Sequence, residues 1–176
     1  MQISVWQDTM VTELYIRITG IPLQKYTPKV VTLWYRSPEI LLNCENYSWS
    51  SDMWALGCIF GELLNSGNPL LPGNNEISQY ELICNLIGCP NLNVWSEFFE
   101  MDMSKKLLER VENRYNNIPL VFKKYSSNCI DLLNSLLTWD PKKRISASQA
   151  LMHNFFTEYP YPKQSSLNTS IKYMDS

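Results

Sequence analysis

Histidine occurs once, at His153. With no second imidazole to share a metal, a zinc site of the His/Cys kind is not expected. His153 is better read as a packing residue at a helix end. An excess of one charge is also lacking: the net charge is −2, and the densest basic run is only Lys142-Lys143-Arg144. That leaves no electrostatic footprint for nucleic acid. The longest apolar stretch falls short of the roughly 20 residues a membrane span requires, and Glu62 interrupts it. The N-terminus shows no basic region followed by an apolar run, so no secretory signal is expected. Paired cysteines are missing too. Cys44, Cys58, Cys84, Cys89 and Cys129 are odd in number, irregularly spaced and without a C-x-x-C pair. Neither a disulfide framework nor a thiolate metal site follows. Buried free thiols in a reducing compartment do. The expectation is an intracellular protein, in the nucleus or cytoplasm, with no metal, membrane or nucleic-acid partner.

What is present is core-forming material. The hydrophobic fraction is 45%, with six tryptophans and ten tyrosines among 176 residues. The chain is organised around Ser50 to Asn65, where apolar side chains fall on nearly every face of a helix and only Asp52 and Glu62 carry charge. Such a helix must be wrapped by protein. Ser50 or Ser51 suits its cap, and Gly67 suits a left-handed stop. Asp52, in the first turn of a buried helix, needs donors.

Around this centre the chain reads as mainly α, with four main helices and little strand. Pro38 opens a short helix through Leu42. Asn74 or Asn75 caps a helix with Ile77, Tyr80, Cys84 and Ile87 on one stripe, closed by Gly88 and Pro90. Residues 91–124 read as irregular with short helices. Ser126 or Ser127 opens a helix through Ile130, Leu133, Leu136 and Leu137, and Asp140-Pro141 ends it. Ser146 to Gln149 form a capping box for a last helix. From Thr157 onward a loose tail is expected.

Three strings now stand in order: Val31-Thr32-Leu33-Trp34-Tyr35-Arg36-Ser37-Pro38-Glu39, then Asp52-Met53-Trp54-Ala55-Leu56-Gly57-Cys58-Ile59, then Asp140-Pro141-Lys142-Lys143-Arg144. Together they resemble the C-terminal lobe of eukaryotic protein kinases, with Ser37-Pro38-Glu39 where that family has A-P-E. The run from Gly20 through Tyr26-Thr27-Pro28 to Arg36 is similar to cyclin-dependent kinases. Tyr115-Asn116-Asn117 resembles the PITSLRE-type subgroup more weakly. The resemblance covers Arg17 to Tyr159. It implies a mainly α, partial kinase C-terminal lobe without the small lobe, N-terminally truncated. The divisions are a non-family segment at 1–16, the partial lobe at 17–159 and a loose tail at 160–176.

Kinase chemistry needs phosphate positioning, a metal and a base. The six glycines form no Gly-rich loop, no lysine stands in a V-A-I-K setting, and no H-R-D catalytic loop is present. Thr12-Glu13-Leu14 occupy the place of the metal-binding D-F-G. No catalytic residue and no cofactor are therefore expected for this chain, whereas the full-length family uses Mg-ATP. The resemblance implies the following roles. Thr27 is the activation phosphosite, with Arg17 the one matched member of its three-arginine clamp. Val30, Val31, Thr32 and Arg36 form an apolar pocket for the residue after the phosphoacceptor, preferring proline because proline brings no N–H to bury. Glu39 and Arg144 form an ion pair tying distant segments. Asp52 is the carboxylate that orients the absent catalytic loop, and Trp54 belongs to the core.

The implied function is part of a serine/threonine kinase that phosphorylates proline-directed sites in protein substrates, with a cyclin as partner in the full-length family. The alternative is an inactive interaction module competing for substrates or partners. Because the central helix lacks the family's usual cover, an exposed apolar face and a poorly soluble product are expected.

Overall fold

A computed structural model describes residues 33–42, 48–101, 104, 107, 111 and 115–159. Thr27, Arg17, Val30, Val31, Thr32 and Cys44 lie outside them. The described residues contain no strand. The α-helices run in the order α1 (Pro38–Leu41), α2 (Trp49–Leu64), α3 (Glu76–Ile87), α4 (Ile118–Val121), α5 (Ser127–Leu136) and α6 (Ala147–Leu151). Two 3-10 turns, Ser96–Glu100 and Asn154–Phe156, fill the gaps.

Helix α2 is the centre, and its start differs from the sequence reading. Ser48, not Ser50 or Ser51, is the cap, and its hydroxyl accepts from the Ser50 N–H at 3.4 Å. At the other end Ser66 and Gly67 both turn left-handed, with φ of 60° and 81°, and the Gly67 N–H returns to the Glu62 carbonyl at 2.9 Å. Asn65 and Asn68 brace this stop by exchanging amide bonds of 3.2 and 3.0 Å. Those bonds offset the strain of a non-glycine residue in the left-handed region.

The expected uncovered face of α2 is not found. Every residue from Met53 to Leu64 is buried or half-buried. Helix α5 and the chain after it supply much of the cover. A Cβ on Gly57 would stand 2.8 Å from Leu137 Cδ2, and one on Gly61 would stand 2.3 Å from Leu70 Cδ2. Two glycines one turn apart thus let neighbours reach the helix backbone, and Phe155 meets Phe60 edge-on at 5.4 Å. The exposed large apolar side chains sit elsewhere, among them Leu120, Val121, Leu151 and Met152.

Helix α3 is capped by Asn75 through a reciprocal box with Ser78 and ends at Gly88, φ 79°. Its buried face is Gln79, Tyr80, Ile83, Cys84 and Leu86; Ile77 is exposed and Ile87 only half-buried. The buried stripe is therefore rotated from the apolar periodicity, because one buried position belongs to a glutamine. Beneath α3 lies an aromatic layer: Tyr80, Trp95, Phe98 and Trp139, with ring centroids 5.8–6.5 Å apart. The Trp139 indole N–H donates to the Gly88 carbonyl at 2.8 Å. Helices α5 and α6 start at Ser126 and at the Ser146–Gln149 capping box. No helix of the described residues is long and apolar enough to cross a membrane.

Candidate functional site

Ser37 is extended (φ −69°, ψ 154°), and Pro38 can open α1 because the first helical N–H needs no partner. This places Glu39 in the first turn, 1% exposed. Arg144 arrives from beyond α5, where Asp140 turns the chain by accepting from the Lys142 N–H at 2.9 Å. Its guanidinium grips Glu39 at both oxygens: Nη1 to Oε1 at 2.8 Å and Nη2 to Oε2 at 3.0 Å. Such paired bonds to a carboxylate are the strong, directional kind. Arg144 also donates to the carbonyl of Ser50 at 2.6 Å and, from Nε, to that of Thr138 at 3.0 Å. The Ser51 hydroxyl donates to Glu39 Oε1 at 3.1 Å. The Trp54 ring lies 5.2 Å from the guanidinium carbon. Burial pushes the Glu39 carboxyl up, but the bonds and charge of Arg144 outweigh it and hold the group below its ordinary 4.5. Glu39 is an ionised anchor, not a proton donor.

The residues just before α1 are tied at three consecutive positions. The Trp34 indole N–H donates to the Gly73 carbonyl at 2.9 Å. The Tyr35 hydroxyl donates to Glu62 Oε2 at 2.5 Å. Arg36 Nη1 donates to Glu76 Oε1 at 3.2 Å. Gln79, fully buried, accepts from the Gly73 N–H at 3.1 Å and donates to the Trp34 carbonyl at 3.3 Å. The segment is thus fastened to α2, to α3 and to the loop between them.

The structure therefore brings Glu39, Arg144 and Trp54 into one cluster and gives Arg36 an acidic partner on α3. It does not bring Asp52 there. Asp52 is exposed, because α2 turns Met53 and Trp54 inward and leaves Asp52 facing out. A buried carboxylate awaiting donors is corrected to an exposed charge near a helix start, where the helix dipole favours it. Trp54 is fully buried, and its indole N–H finds no acceptor among the described residues. Tyr35, Glu62, Gly73 and Gln79 were not expected from the sequence. Gln79 carries a faint signal as a long polar residue in an otherwise apolar helix.

Other reactive groups serve structure. His153 Nδ1 accepts from the Phe155 N–H at 3.2 Å, and Nε2 faces Asp131 Oδ2 at 3.1 Å. Burial pushes the Cys129 thiol up to about 12 and raises Cys58 further, so neither thiol is a nucleophile at neutral pH. No His, Cys, Asp or Glu cluster able to hold a metal occurs among the described residues.

Comparison with known proteins agrees with this architecture. Residues 19–156 match the protein kinase domain family. The chain is 49% identical over 144 residues to a probable cyclin-dependent kinase 10 of Dictyostelium discoideum, covering 82% of this chain and 39% of that protein. It is 45% identical over 144 residues to human cyclin-dependent kinase 11A, covering 81% and 18%. Among solved structures, a chain in the crystal structure of the yeast RNA Pol II CTD kinase CTDK-1 complex superposes with a TM-score of 0.72 at 27% identity, covering 91% of this chain and 63% of that one. The chain thus spans about two-fifths of the length of its Dictyostelium relative, or less of the human one. With the three strings in order, the joined Glu39 and Arg144, and a family match over most of its length, the chain belongs to the protein kinase family, in its cyclin-dependent branch.

Proposed function

We propose that this chain is the substrate-holding part of a cyclin-dependent serine/threonine kinase. In the complete enzyme, phosphate passes from Mg-ATP to a serine or threonine followed by proline, with a cyclin as partner. Thr27 is the activation phosphosite, and Arg17 is the one matched member of the arginine clamp that would meet its phosphate. Val30, Val31, Thr32 and Arg36 receive the residue after the phosphoacceptor. The observation that carries this reading is the buried Glu39–Arg144 pair, which ties two segments 105 positions apart and holds Ser37-Pro38-Glu39 against α2. A pair that dry is costly to build, so it marks a segment whose position matters.

This chain on its own is proposed to bind no ATP productively. It has no catalytic-loop H-R-D, no metal-binding D-F-G and no Gly-rich loop, so nothing bridges the phosphates or accepts the substrate proton. The test is transfer from γ-labelled Mg-ATP to a Ser-Pro peptide across a range of concentrations of the purified 176-residue chain. The expected result is no label above the protein-free blank. Label rising in proportion to chain concentration overturns the inactivity.

A further inference from the structure

We propose that Ser126 is a phosphorylation site for a separate kinase, one that selects two basic residues just ahead of its acceptor, and that the phosphate expels Glu158 from the start of α5. The string such a kinase would read is Lys123-Lys124-Tyr125-Ser126.

The same pattern recurs at Lys143-Arg144-Ile145-Ser146, again with two basic residues three and two positions ahead of a serine. By sequence this second string is the better one, since a guanidinium grips acidic groups bidentately and an ammonium does not. The two serines are even alike in local form. Each is extended, with ψ of 158° and 162°, and each hydroxyl accepts from the N–H three residues on, at 3.1 and 3.3 Å. The fold separates them. Arg144 is 2% exposed and spends its guanidinium on Glu39 and on the Ser50 and Thr138 carbonyls. Lys143 Nζ donates to the Asn93 and Val94 carbonyls, both at 3.0 Å, and lies 3.5 Å from Asp140. A buried arginine cannot enter an acidic groove, and the lysine beside it is already engaged. Ahead of Ser126 the reverse holds. Phe122 is buried and the Tyr125 hydroxyl donates to the Leu64 carbonyl at 2.5 Å, so the lysines between them are left outward. Lys123, Lys124 and Ser126 are all exposed. Neither lysine pairs with a carboxylate among the described residues; Lys124 Nζ lies over the neighbouring Tyr125 ring, 5.1 Å from its centroid.

The Ser126 hydroxyl donates to Glu158 Oε1 at 2.5 Å, and Asn128 Nδ2 donates to Oε2 at 2.8 Å. One carboxylate thereby fastens the chain after the Asn154–Phe156 turn to the first turn of α5. Half of that hold is the serine proton, and phosphorylation removes it. Ser126 Oγ bonds to the γ-phosphorus of Mg-ATP, the bond from that phosphorus to the β-phosphate oxygen breaks, ADP leaves, and the proton passes to the kinase's base. The product carries about −1.5 to −2 charge where a carboxylate now sits. A helix start favours a phosphate, so α5 keeps the new group and the older anion, Glu158, gives way. The next bonds along the chain are those from the Phe156 and Thr157 N–H groups to the His153 and Asn154 carbonyls, at 3.0 and 3.1 Å, and they open with it.

The test uses the full 176-residue chain, γ-labelled Mg-ATP and, as probe, the catalytic subunit of cyclic-AMP-dependent kinase. Synthetic peptides covering 120–130 and 140–150 are labelled alongside. Both peptides are expected to take label, whereas the folded chain takes it at Ser126 and not at Ser146. Ser126→Ala is expected to lose that label. Lys123→Ala with Lys124→Ala leaves the serine and its bonds in place and is expected to slow labelling about tenfold. Hydrogen exchange then reads the latch. In the phosphorylated chain the Phe156 and Thr157 amides are expected to exchange about tenfold faster, the scale of one charge-assisted bond lost. Glu158→Gln removes the charge that the phosphate repels and brings an amide that can donate to it. Its exchange is expected to be the same with and without phosphate. A folded chain unlabelled at Ser126, or labelling indifferent to the two lysines, overturns the site. No acceleration in the wild-type chain, or equal acceleration in Glu158→Gln, overturns the expulsion of Glu158.

Discussion

Two buried regions of this molecule are equally dry and are held in opposite ways. In the aromatic layer, Tyr80 and Phe98 are fully buried, and Trp95 nearly so. Their rings meet at angles from 5° to 42°, and those with Trp139 from 28° to 59°. No single geometry is repeated, so the energy is dispersion and apolar burial spread over many atom pairs. At the Glu39–Arg144 junction the side chains are 1% and 0% exposed, but everything depends on named bonds from one guanidinium. The layer yields gradually when an atom is removed. The junction fails all at once, because taking away one partner leaves a charge in a place with no water.

The largest effect therefore belongs to Arg144→Met. It keeps the bulk and strands the Glu39 carboxylate, with an expected loss of about 3–5 kcal/mol in a urea melt. Its pH dependence sharpens the contrast. In wild type the folded Glu39 carboxyl lies below 4.5, so its contribution is whole above that value and is lost as pH falls through the lower folded one. In Arg144→Met the largest cause, burial, raises the carboxyl, opposed only by the Ser51 hydroxyl and a backbone N–H. Stability should then rise as pH falls through the raised value, the opposite slope. Melts at several acid pH values that slope alike in both proteins would show that the pair is not the source.

Next comes Gly57→Ala. Its methyl would stand 2.8 Å from Leu137 Cδ2 and 2.9 Å from Leu136 Cβ, so α5 must shift. Overpacking of this kind costs about 1–3 kcal/mol. Smaller still is Ile83→Val, one methylene from a fully buried α3 position, at about 0.5–1.5 kcal/mol. If Ile83→Val rivalled Arg144→Met in the same melt, the contrast between graded and conditional burial would collapse.

The two regions also differ in how far the sequence reveals them. Helix ends are local chemistry, so Asn75, Gly88, Ser126 and the Ser146–Gln149 box are legible from a few neighbouring residues. The face a helix buries is not local. Ile77 looks like core and is exposed, whereas Gln79 looks like surface and is buried, because the decision lies with Trp34 and Gly73, far off in sequence. Asp52 shows the same limit: periodicity alone could not tell that α2 leaves it outside. The meeting of Glu39 with Arg144 obeys no spacing rule. It is implied only by the kinase-like strings, and geometry then supplies the bonds. The Tyr35–Glu62 bond has no signal of either kind.

The smallest distinct effect tests whether charge or position is what the junction supplies. In the double substitution Glu39→Met with Arg144→Met, no buried charge is left stranded. Replacing a buried pair with apolar side chains of similar size is often neutral in other proteins. Here it should not be wholly neutral, because Arg144 also satisfies the carbonyls of Ser50 and Thr138, and the Ser51 hydroxyl loses Glu39. Relative to Arg144→Met alone, the double variant should regain most of the lost stability. The stability still missing should be about 1 kcal/mol, the lower end of what a buried carbonyl left without its donor costs. A double variant no more stable than the single one would place the cost in the carbonyls and not in the charge, and the junction would then be a backbone clasp that happens to be ionic.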